Sequence, residues 1–162
     1  MKCRFFNFLK QSANWIWIAI CLLLLVLLYY IITNYLHEKN SVPQVCSKKT
    51  CFTVELARTP DEQQQGLMYR ENMAENNGML FVFDRADFHN FRMKNTLIPL
   101  DMLRIDNQLN VVKILTAQPC TAEPCLVYKP EVSANYVLEI NAGMAEKYGL
   151  QEWINMRLIN IQ

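Results

Sequence analysis

The hydrophobic residues are concentrated in one uninterrupted run near the start of the chain. Every residue from Trp15 to Ile32 is apolar or aromatic. A helix rises about 1.5 Å per residue, so this run is long enough to cross the hydrocarbon core of a bilayer. Lys2, Arg4 and Lys10 precede it without an acidic residue, which predicts a cytoplasmic N-terminus and an extracytoplasmic remainder. No small-x-small cleavage site follows the run, which favours an uncleaved inner-membrane anchor over a signal peptide.

This run divides the chain into four predicted regions. A cytoplasmic basic tail covers residues 1–14 and a transmembrane anchor covers residues 15–33. Residues 34–45 are expected to be a spacer, since the stretch around Pro43 is polar and shows no periodicity. Residues 46–162 are predicted to form an extracytoplasmic β domain.

The first element of that domain follows from an alternating pattern. Phe52, Val54 and Leu56 alternate with polar residues, as in a half-buried strand. A helix is then predicted to begin at Thr59, because Thr59 with Glu62 three residues later is a capping-box pattern and the intervening Pro60 suits the first helical position. We expect this helix to loosen near Gly66 or Tyr69.

The remaining pattern predicts several short strands and one more helical turn. The turn covers Gly143 to Tyr148, with Gly149 as its left-handed cap. Asp106 and Asn107 favour a hairpin turn. The βαβ alternation of a parallel sheet is not recognisable. The sequence therefore predicts a mainly β (α+β) domain, a compact small β-barrel or sandwich with two short helices, preceded by one transmembrane helix. The further strands are expected at 79–83, 91–94, 100–105, 110–116, 136–140 and 156–161.

Four cysteines of the outer domain form two matching pairs. Cys46 and Cys51, like Cys120 and Cys125, are separated by four residues. Disulfides are the default outside the cytoplasm, and two local bridges are the simplest of three connectivities. A four-thiolate zinc site is the competing interpretation. Two local bridges are preferred because the predicted topology places the domain in an oxidising compartment.

Composition excludes several classes of function. The net charge is only +1, from 16 Lys and Arg against 15 Asp and Glu, which argues against a nucleic-acid partner. The chain has two histidines, His37 and His89, so it lacks the material for histidine-based metal or triad chemistry. No phosphate-binding glycine loop occurs. No cofactor is therefore expected.

The outer domain resembles the domain of unknown function 192 family. The matching blocks cover most of residues 52–150, in order. The resemblance implies a small mainly β domain, commonly exported or membrane-anchored, with no established activity. The family usually has a tryptophan just before the methionine of the Met-Lys-Asn-Thr block, where this chain has Arg92, which makes any pocket there more polar. The blocks are Val54-Glu55-Leu56-Ala57, Gly66-Leu67-Met68-Tyr69-Arg70, Gly78-Met79-Leu80-Phe81-Val82-Phe83, Phe91-Arg92-Met93-Lys94-Asn95-Thr96, Ile98-Pro99-Leu100-Asp101, Pro119-Cys120 with Cys125, and Val137-Leu138-Glu139-Ile140-Asn141-Ala142-Gly143.

Polar residues embedded in these apolar blocks are the candidate site. Buried charge is costly unless paired, so Asp101 and Glu139 are expected to pair with Arg70 and Lys94. One interpretation is a structural salt-bridge network. The other is a cleft in which the cations bind an anionic ligand and a carboxylate acts as acceptor or general base. The candidate cleft residues are Arg70, Lys94, Asn95, Asp101, Glu139 and Asn141.

Methionines form a second set, which suits either copper(I) or core packing. Packing is favoured because they follow no metal-binding repeat, and His89 is interpreted as a loop or surface residue. They are Met68, Met73, Met79, Met93 and Met102.

The leading hypothesis is a membrane-anchored, non-catalytic binding or accessory module of the cell envelope, whose partner is an envelope protein or a small anionic ligand. The alternative is an envelope hydrolase or lyase that uses Asp101 or Glu139 as its acid-base group on an anionic or sugar-derived substrate.

Overall fold

The chain forms two compact units, Met1–Ser41 and Val42–Gln162. The structure is a computed structural model that describes residues 2–39 and 42–161; the side chains of residues 2–14, 16 and 37–39 lie outside that description. The cationic side chains of the predicted basic tail, and residues 40 and 41 of the predicted spacer, are therefore not described.

The first unit is a single helix, α1 (Lys2–Lys39). Its segment Trp17–Leu36 has a mean hydropathy of 2.3 and is long and apolar enough to cross a membrane as an anchor or to be a signal sequence. The predicted apolar helix is confirmed. The helix continues to Lys39, into the stretch predicted as spacer, because no glycine or proline interrupts it before Pro43.

The second unit is mainly β, as predicted. Seven strands form one sheet that curls into a half-barrel, in the order β6-β5-β8-β3-β2-β1-β9, and β4 pairs with β7 in a small second sheet. The strands are β1 (Gln44–Cys46), β2 (Cys51–Ala57), β3 (Asn77–Asp87), β4 (Phe91–Arg92), β5 (Leu100–Ile105), β6 (Val111–Ala117), β7 (Val127–Tyr128), β8 (Ala134–Asn141) and β9 (Arg157–Ile159).

One feature of the topology was not predicted. The strands β2 and β3 pair in parallel, and the helix α2 (Pro60–Gln65) lies in the connection between them. This is a βαβ unit within an otherwise antiparallel sheet. The two strands and the helix were each predicted, but the parallel pairing was not, because it depends on which strand edges meet after the short helix.

The local signals for α2 are confirmed atom by atom. The Thr59 side chain accepts a hydrogen bond from the Glu62 N–H, and the Glu62 carboxylate accepts one from the Thr59 N–H, at 2.9 Å. Gly66 ends the helix with a φ of 47°, a conformation that other residues rarely adopt. This turn directs the buried Leu67 into the core.

Apolar residues alternate between the two faces of the sheet. The first face carries Phe52, Leu80, Leu103 and Leu138 and packs against α3 (Met144–Lys147), the predicted second helical turn. We call it the α3 face. The opposite face, the cavity face, has its own core of Ala57, Leu67, Met79, Phe81, Met93, Leu100, Met102, Ala117 and Val137. A residue two places along any strand returns to the same face, so the register decides which polar groups meet.

The cysteines form two disulfides, Cys46–Cys51 and Cys120–Cys125. Both are the local bridges of the simplest connectivity. The thiolates needed for a zinc site are thereby consumed, and the described residues contain no group of three or more His, Cys, Asp or Glu placed to hold a metal ion.

Candidate functional site

An open cavity of about 550 Å³ lies on the cavity face. Its wall combines the end of α2, the outer half of β3, the segment that contains β4, and one residue of the central strand β8. The wall is part aromatic, part amide and part charged. The lining residues are Gln63, Gln64, Gln65, Gly66, Leu67, Met68, Phe81, Phe83, His89, Asn90, Phe91, Arg92, Lys94, Thr96 and Glu139.

Glu139 is the carboxylic acid of this wall. It lies on β8 directly between Met79 of β3 and Met102 of β5, and only 4% of it is exposed. Its side chain makes no hydrogen bond or ion pair with any described residue. Burial without a partner raises the pKa of Glu139 to about 8, which keeps the carboxyl neutral at pH 7. A neutral carboxyl group can donate a hydrogen bond as well as accept one.

Two cations stand at the cavity wall on and just after β4. Arg92 is exposed and forms no ion pair with a described residue, while the Lys94 Nζ lies 3.2 Å from a Glu123 carboxylate oxygen. The pKa of Glu123 is lowered first by a hydrogen bond from the Cys125 N–H and then by Lys94. Because Glu139 is neutral, the ionised groups of the wall at pH 7 are these two cations.

His89 has a more buried position than the sequence suggested. Its ring stacks on Phe83 with 3.5 Å between the ring centroids and 9° between the planes. The Nε2 atom is buried and has no hydrogen-bond partner among the described groups. Burial lowers the pKa of His89, so the imidazole is neutral at pH 7. The prediction of a loop position is correct, but the residue faces the cavity.

The structure brings only two of the six predicted cleft residues to the cavity, Lys94 and Glu139. Arg70 instead pairs with Glu55, and Asn95 donates to the Tyr69 hydroxyl at 2.8 Å. The remaining two are also elsewhere. Asn141 donates to the carbonyl oxygens of Met73 at 3.0 Å and Ala74 at 3.2 Å, tying β8 to the loop before β3.

Asp101 lies on the opposite face of the sheet from Glu139. Its carboxylate accepts hydrogen bonds from the Thr116 hydroxyl at 2.7 Å and the buried Ala145 N–H at 3.0 Å. The expected pairing of Asp101 and Glu139 with Arg70 and Lys94 is therefore wrong. The reason is register: Asp101 pairs with Ile140, one residue beyond Glu139, and neighbouring residues of a strand point to opposite faces.

One polar residue of the cavity face was not predicted as part of the site. Arg104 is fully buried on β5, with its Nε and Nη1 atoms unpaired. An arginine between Leu103 and Ile105 in an apolar strand was the sequence signal, because a charged residue inside such a run is costly unless it serves a purpose.

Four of the five methionines behave as packing residues, and the fifth, Met68, lines the cavity. Met79, Met93 and Met102 are buried in the cavity-face core, and Met73 packs against it. Thioethers dispersed through a core in this way fill irregular space between aromatic rings and strands.

The fold and the cavity together define a class: a half-barrel domain with a ligand-sized open cavity that is aromatic inside and cationic at its wall. The chain belongs to the domain of unknown function 192 (DUF192) family, described as "Uncharacterized ACR, COG1430", whose model matches residues 43–157. The predicted family is confirmed.

Two solved structures are similar to the chain. One, from Sinorhizobium meliloti 1021, is called a "putative transcription regulator"; it is 33% identical, with a TM-score of 0.66, and the match covers 74% of this chain and 93% of that one. The other is a protein of unknown function from Novosphingobium aromaticivorans DSM 12444, 30% identical with a TM-score of 0.63, over 72% of this chain and 83% of that one. No curated protein matches the chain.

Proposed function

We propose that this protein is a non-catalytic binding module, anchored in the inner membrane with its β domain outside the cytoplasm, that holds a small anionic molecule in the cavity. The observation that carries the proposal is the unpaired Glu139 carboxyl, 4% exposed, in the wall of an open cavity of about 550 Å³. An unpaired buried polar group costs stability. A ligand that hydrogen-bonds to Glu139 recovers part of that cost.

The charge of the wall selects an anion. Arg92 forms no ion pair with a described residue, and Lys94 adds a second cation that is paired with Glu123 at the surface. The field of these two groups favours a negatively charged molecule. The rings of Phe81, Phe83 and Phe91 offer an apolar surface for its body. Most ligand cavities combine apolar walls with a few convergent polar groups in this way.

The location outside the cytoplasm is supported by two independent features. The basic residues that precede the apolar run, Lys2, Arg4 and Lys10, favour a cytoplasmic N-terminus. The two disulfides of the domain are stable in an oxidising compartment.

The test is a binding measurement on the full chain in non-ionic detergent micelles, with benzoate as the probe and benzamide as its uncharged match. Saturation-transfer NMR should show saturable binding of benzoate and at least about tenfold weaker binding of benzamide, a difference of about 1.4 kcal/mol. Replacing both wall cations (Arg92→Gln with Lys94→Gln) should remove this preference.

Lys129→Gln with Arg58→Gln is the matched control, because it removes the same charge from exposed positions that do not line the cavity. It should leave the preference for benzoate unchanged. Equal binding of benzoate and benzamide, or equal effects of the two double variants, would contradict the proposal.

A second candidate function is supported by Glu139 itself. A buried carboxyl with a raised pKa beside a cavity is the environment of a general acid. In that case the domain is a hydrolase or lyase for an anionic substrate, with Glu139 as its acid-base group. Asp101 has no part in it, because its carboxylate lies on the other face of the sheet. The enzyme is favoured over the binding module if the protein turns over a substrate and Glu139→Gln abolishes that turnover while the affinity for the probe is retained.

A further inference from the structure

Arg104 is a buried cation without a counter-ion on the cavity face. It lies on β5 opposite Val137 of β8, and none of its surface is exposed. A guanidinium group remains charged in proteins even though burial lowers its pKa. No carboxylate of a described residue lies within ion-pair distance of it. A buried charge in this state costs several kcal/mol unless an anion compensates it.

The contacts of Arg104 use only one of its five N–H donors. The Nη2 atom donates to the His89 carbonyl oxygen at 3.0 Å, and the guanidinium carbon lies 5.7 Å from the centroid of the Phe91 ring. The Nε and Nη1 atoms are buried and have no hydrogen-bond partner among the residues that the structure describes. The Nη2 group carries two hydrogens, one on the Nε side and one on the Nη1 side. Since the carbonyl takes one of them, a complete pair of parallel N–H donors remains on the other side.

A pair of parallel donors matches an anion with two acceptor oxygens, and a planar carboxylate accepts both N–H groups in one plane. The two oxygens of a carboxylate have the spacing and plane to accept both N–H groups at once, which is why arginine binds carboxylates in a bidentate manner. A single carbonyl or a water molecule leaves one donor and the charge uncompensated. The free side of Arg104 is therefore built for a carboxylate.

The cavity is adjacent to this guanidinium. The hydrogen-bond partner and the aromatic partner of Arg104, His89 and Phe91, are also part of the cavity wall. The Phe91 ring separates the charge from the cavity, and it is held there by an edge-to-face contact with Phe81 at 5.0 Å between centroids. Arg104 itself does not line the cavity, so a molecule there contacts the guanidinium group only after the Phe91 side chain moves.

We infer that the ligand of the cavity is a carboxylate and that Arg104 binds its carboxylate group, behind the ring of Phe91. This inference rests on the proposed binding function and deepens it. Arg92 and Lys94 attract the anion to the cavity, and Arg104 determines which anion is held. The neutral His89 and Glu139 supply hydrogen-bonding atoms beside it without adding negative charge.

A second carboxylate could reach the same donors from within the chain. Glu139 lies on the neighbouring strand and on the same face, diagonal to Arg104, because Met102 pairs with Glu139 and Arg104 with Val137. An internal pair of Glu139 and Arg104 has the same chemistry as a bound ligand. The experiment must therefore separate the two sources.

The measurement is the NMR signal of the Arg104 Nε–H group in the full chain, in non-ionic detergent micelles at pH 7, assigned with Arg104→Lys. Acetate and benzoate are the probes. Both should shift this signal saturably, and sodium chloride at the same ionic strength should not. Benzoate affinity should fall about tenfold to a hundredfold in Arg104→Lys, which keeps the charge but loses the paired donors. Arg85→Lys is the control, because Arg85 is largely exposed and does not line the cavity.

Each other outcome overturns the inference in a recognisable way. If Glu139→Gln shifts the Arg104 signal in the absence of any probe, then Glu139 is the partner of Arg104. If inorganic phosphate shifts the Arg104 signal at a lower concentration than acetate does, the ligand belongs to another class of anion. If benzoate binds through Arg92 and Lys94 but the Arg104 signal does not shift, this inference is overturned and the proposed function remains intact. If benzoate does not bind, both are overturned.

Discussion

The two faces of the half-barrel treat a buried acidic residue in opposite ways. On the α3 face, the Asp101 carboxylate accepts a hydroxyl and a backbone N–H, so its lone pairs are used within the fold. On the cavity face, Glu139 lies one strand away with no partner, and Arg104 leaves two nitrogen atoms unpaired. The first arrangement stabilises the domain. The second lowers its stability and leaves donors and acceptors available to a ligand.

The largest expected effect is the pH dependence caused by Glu139. Its pKa is about 8 in the folded protein against an ordinary value of 4.5, so the folded state binds the proton more tightly. Stability is therefore fully present below about pH 4.5 and falls as the pH rises to about 8, by at most about 1.4 kcal/mol per pH unit. Urea unfolding of the full chain in micelles between pH 5 and 8 measures it. The charged side chains on this side of the sheet include Arg104, Arg92 and Lys94, together with Lys113 opposite Arg104 and Glu55 opposite Met79. Glu55 is ion-paired with Arg70, and Lys113 with Glu131 and Glu152.

Glu139→Gln should remove this slope and raise the stability at pH 8. Glu71→Gln is the matched control, because Glu71 is exposed and lies outside the cavity wall. A wild-type slope that survives in Glu139→Gln would show that another group is responsible.

Asp101→Ala tests the α3 face, where the buried acid has hydrogen-bond partners, and should destabilise the domain by about 3 kcal/mol. The change leaves the buried Ala145 N–H and the Thr116 hydroxyl without an acceptor, and hydrogen bonds to charged groups contribute about 1.5–3 kcal/mol each. Urea unfolding at pH 7 measures the loss. Asp84→Ala, at an exposed position, should have little effect. A loss no larger than that of Asp84→Ala would show that the two faces do not differ in the way described.

Thr59→Ala should destabilise the domain by about 1 kcal/mol, the usual contribution of an N-cap. The helix α2 forms part of the cavity wall through Gln63, Gln64 and Gln65, so benzoate binding should also weaken. Thermal unfolding and the binding measurement test both effects. Thr59→Ser keeps the capping oxygen and should behave as wild type. If Thr59→Ser is as unstable as Thr59→Ala, the capping bond is not the cause.

The smallest effect on stability is expected for Lys94→Gln. Its ion pair with Glu123 lies at the surface, where both side chains are more than half exposed. Exposed ion pairs add little to stability. The melting temperature should remain within error of wild type, whereas benzoate affinity should fall. A clear drop in melting temperature would show that Lys94 stabilises the fold and would contradict its role in binding.

Much of the fold could be predicted from local patterns. Thr59, Pro60 and Glu62 specify the start of α2 through contacts between near neighbours in the chain. The alternation of Phe52, Val54 and Leu56 with polar residues predicts β2, which likewise depends only on near neighbours in the chain. The parallel pairing of β2 with β3 could not be predicted, because it depends on which strand edges meet after a short helix.

The candidate site was less predictable than the fold. The sequence identified Glu139 and Lys94 but grouped them with Asp101, Arg70, Asn95 and Asn141, whose partners lie elsewhere. Residues such as Glu55 and Arg70, or Asp101 and Ala145, are far apart in the chain. Nothing in the linear pattern specifies such partners.

The sequence by itself determined the apolar N-terminal helix, the mainly β character of the domain, the cap of α2 and the family, since each depends on residue type and short-range order. Only the tertiary structure decided that Asp101 has hydrogen-bond partners within the fold and that Glu139 faces a cavity. The physical reason is the strand period of two: β5 and β8 pair Met102 with Glu139 and Asp101 with Ile140, and a shift of one residue would exchange the two faces.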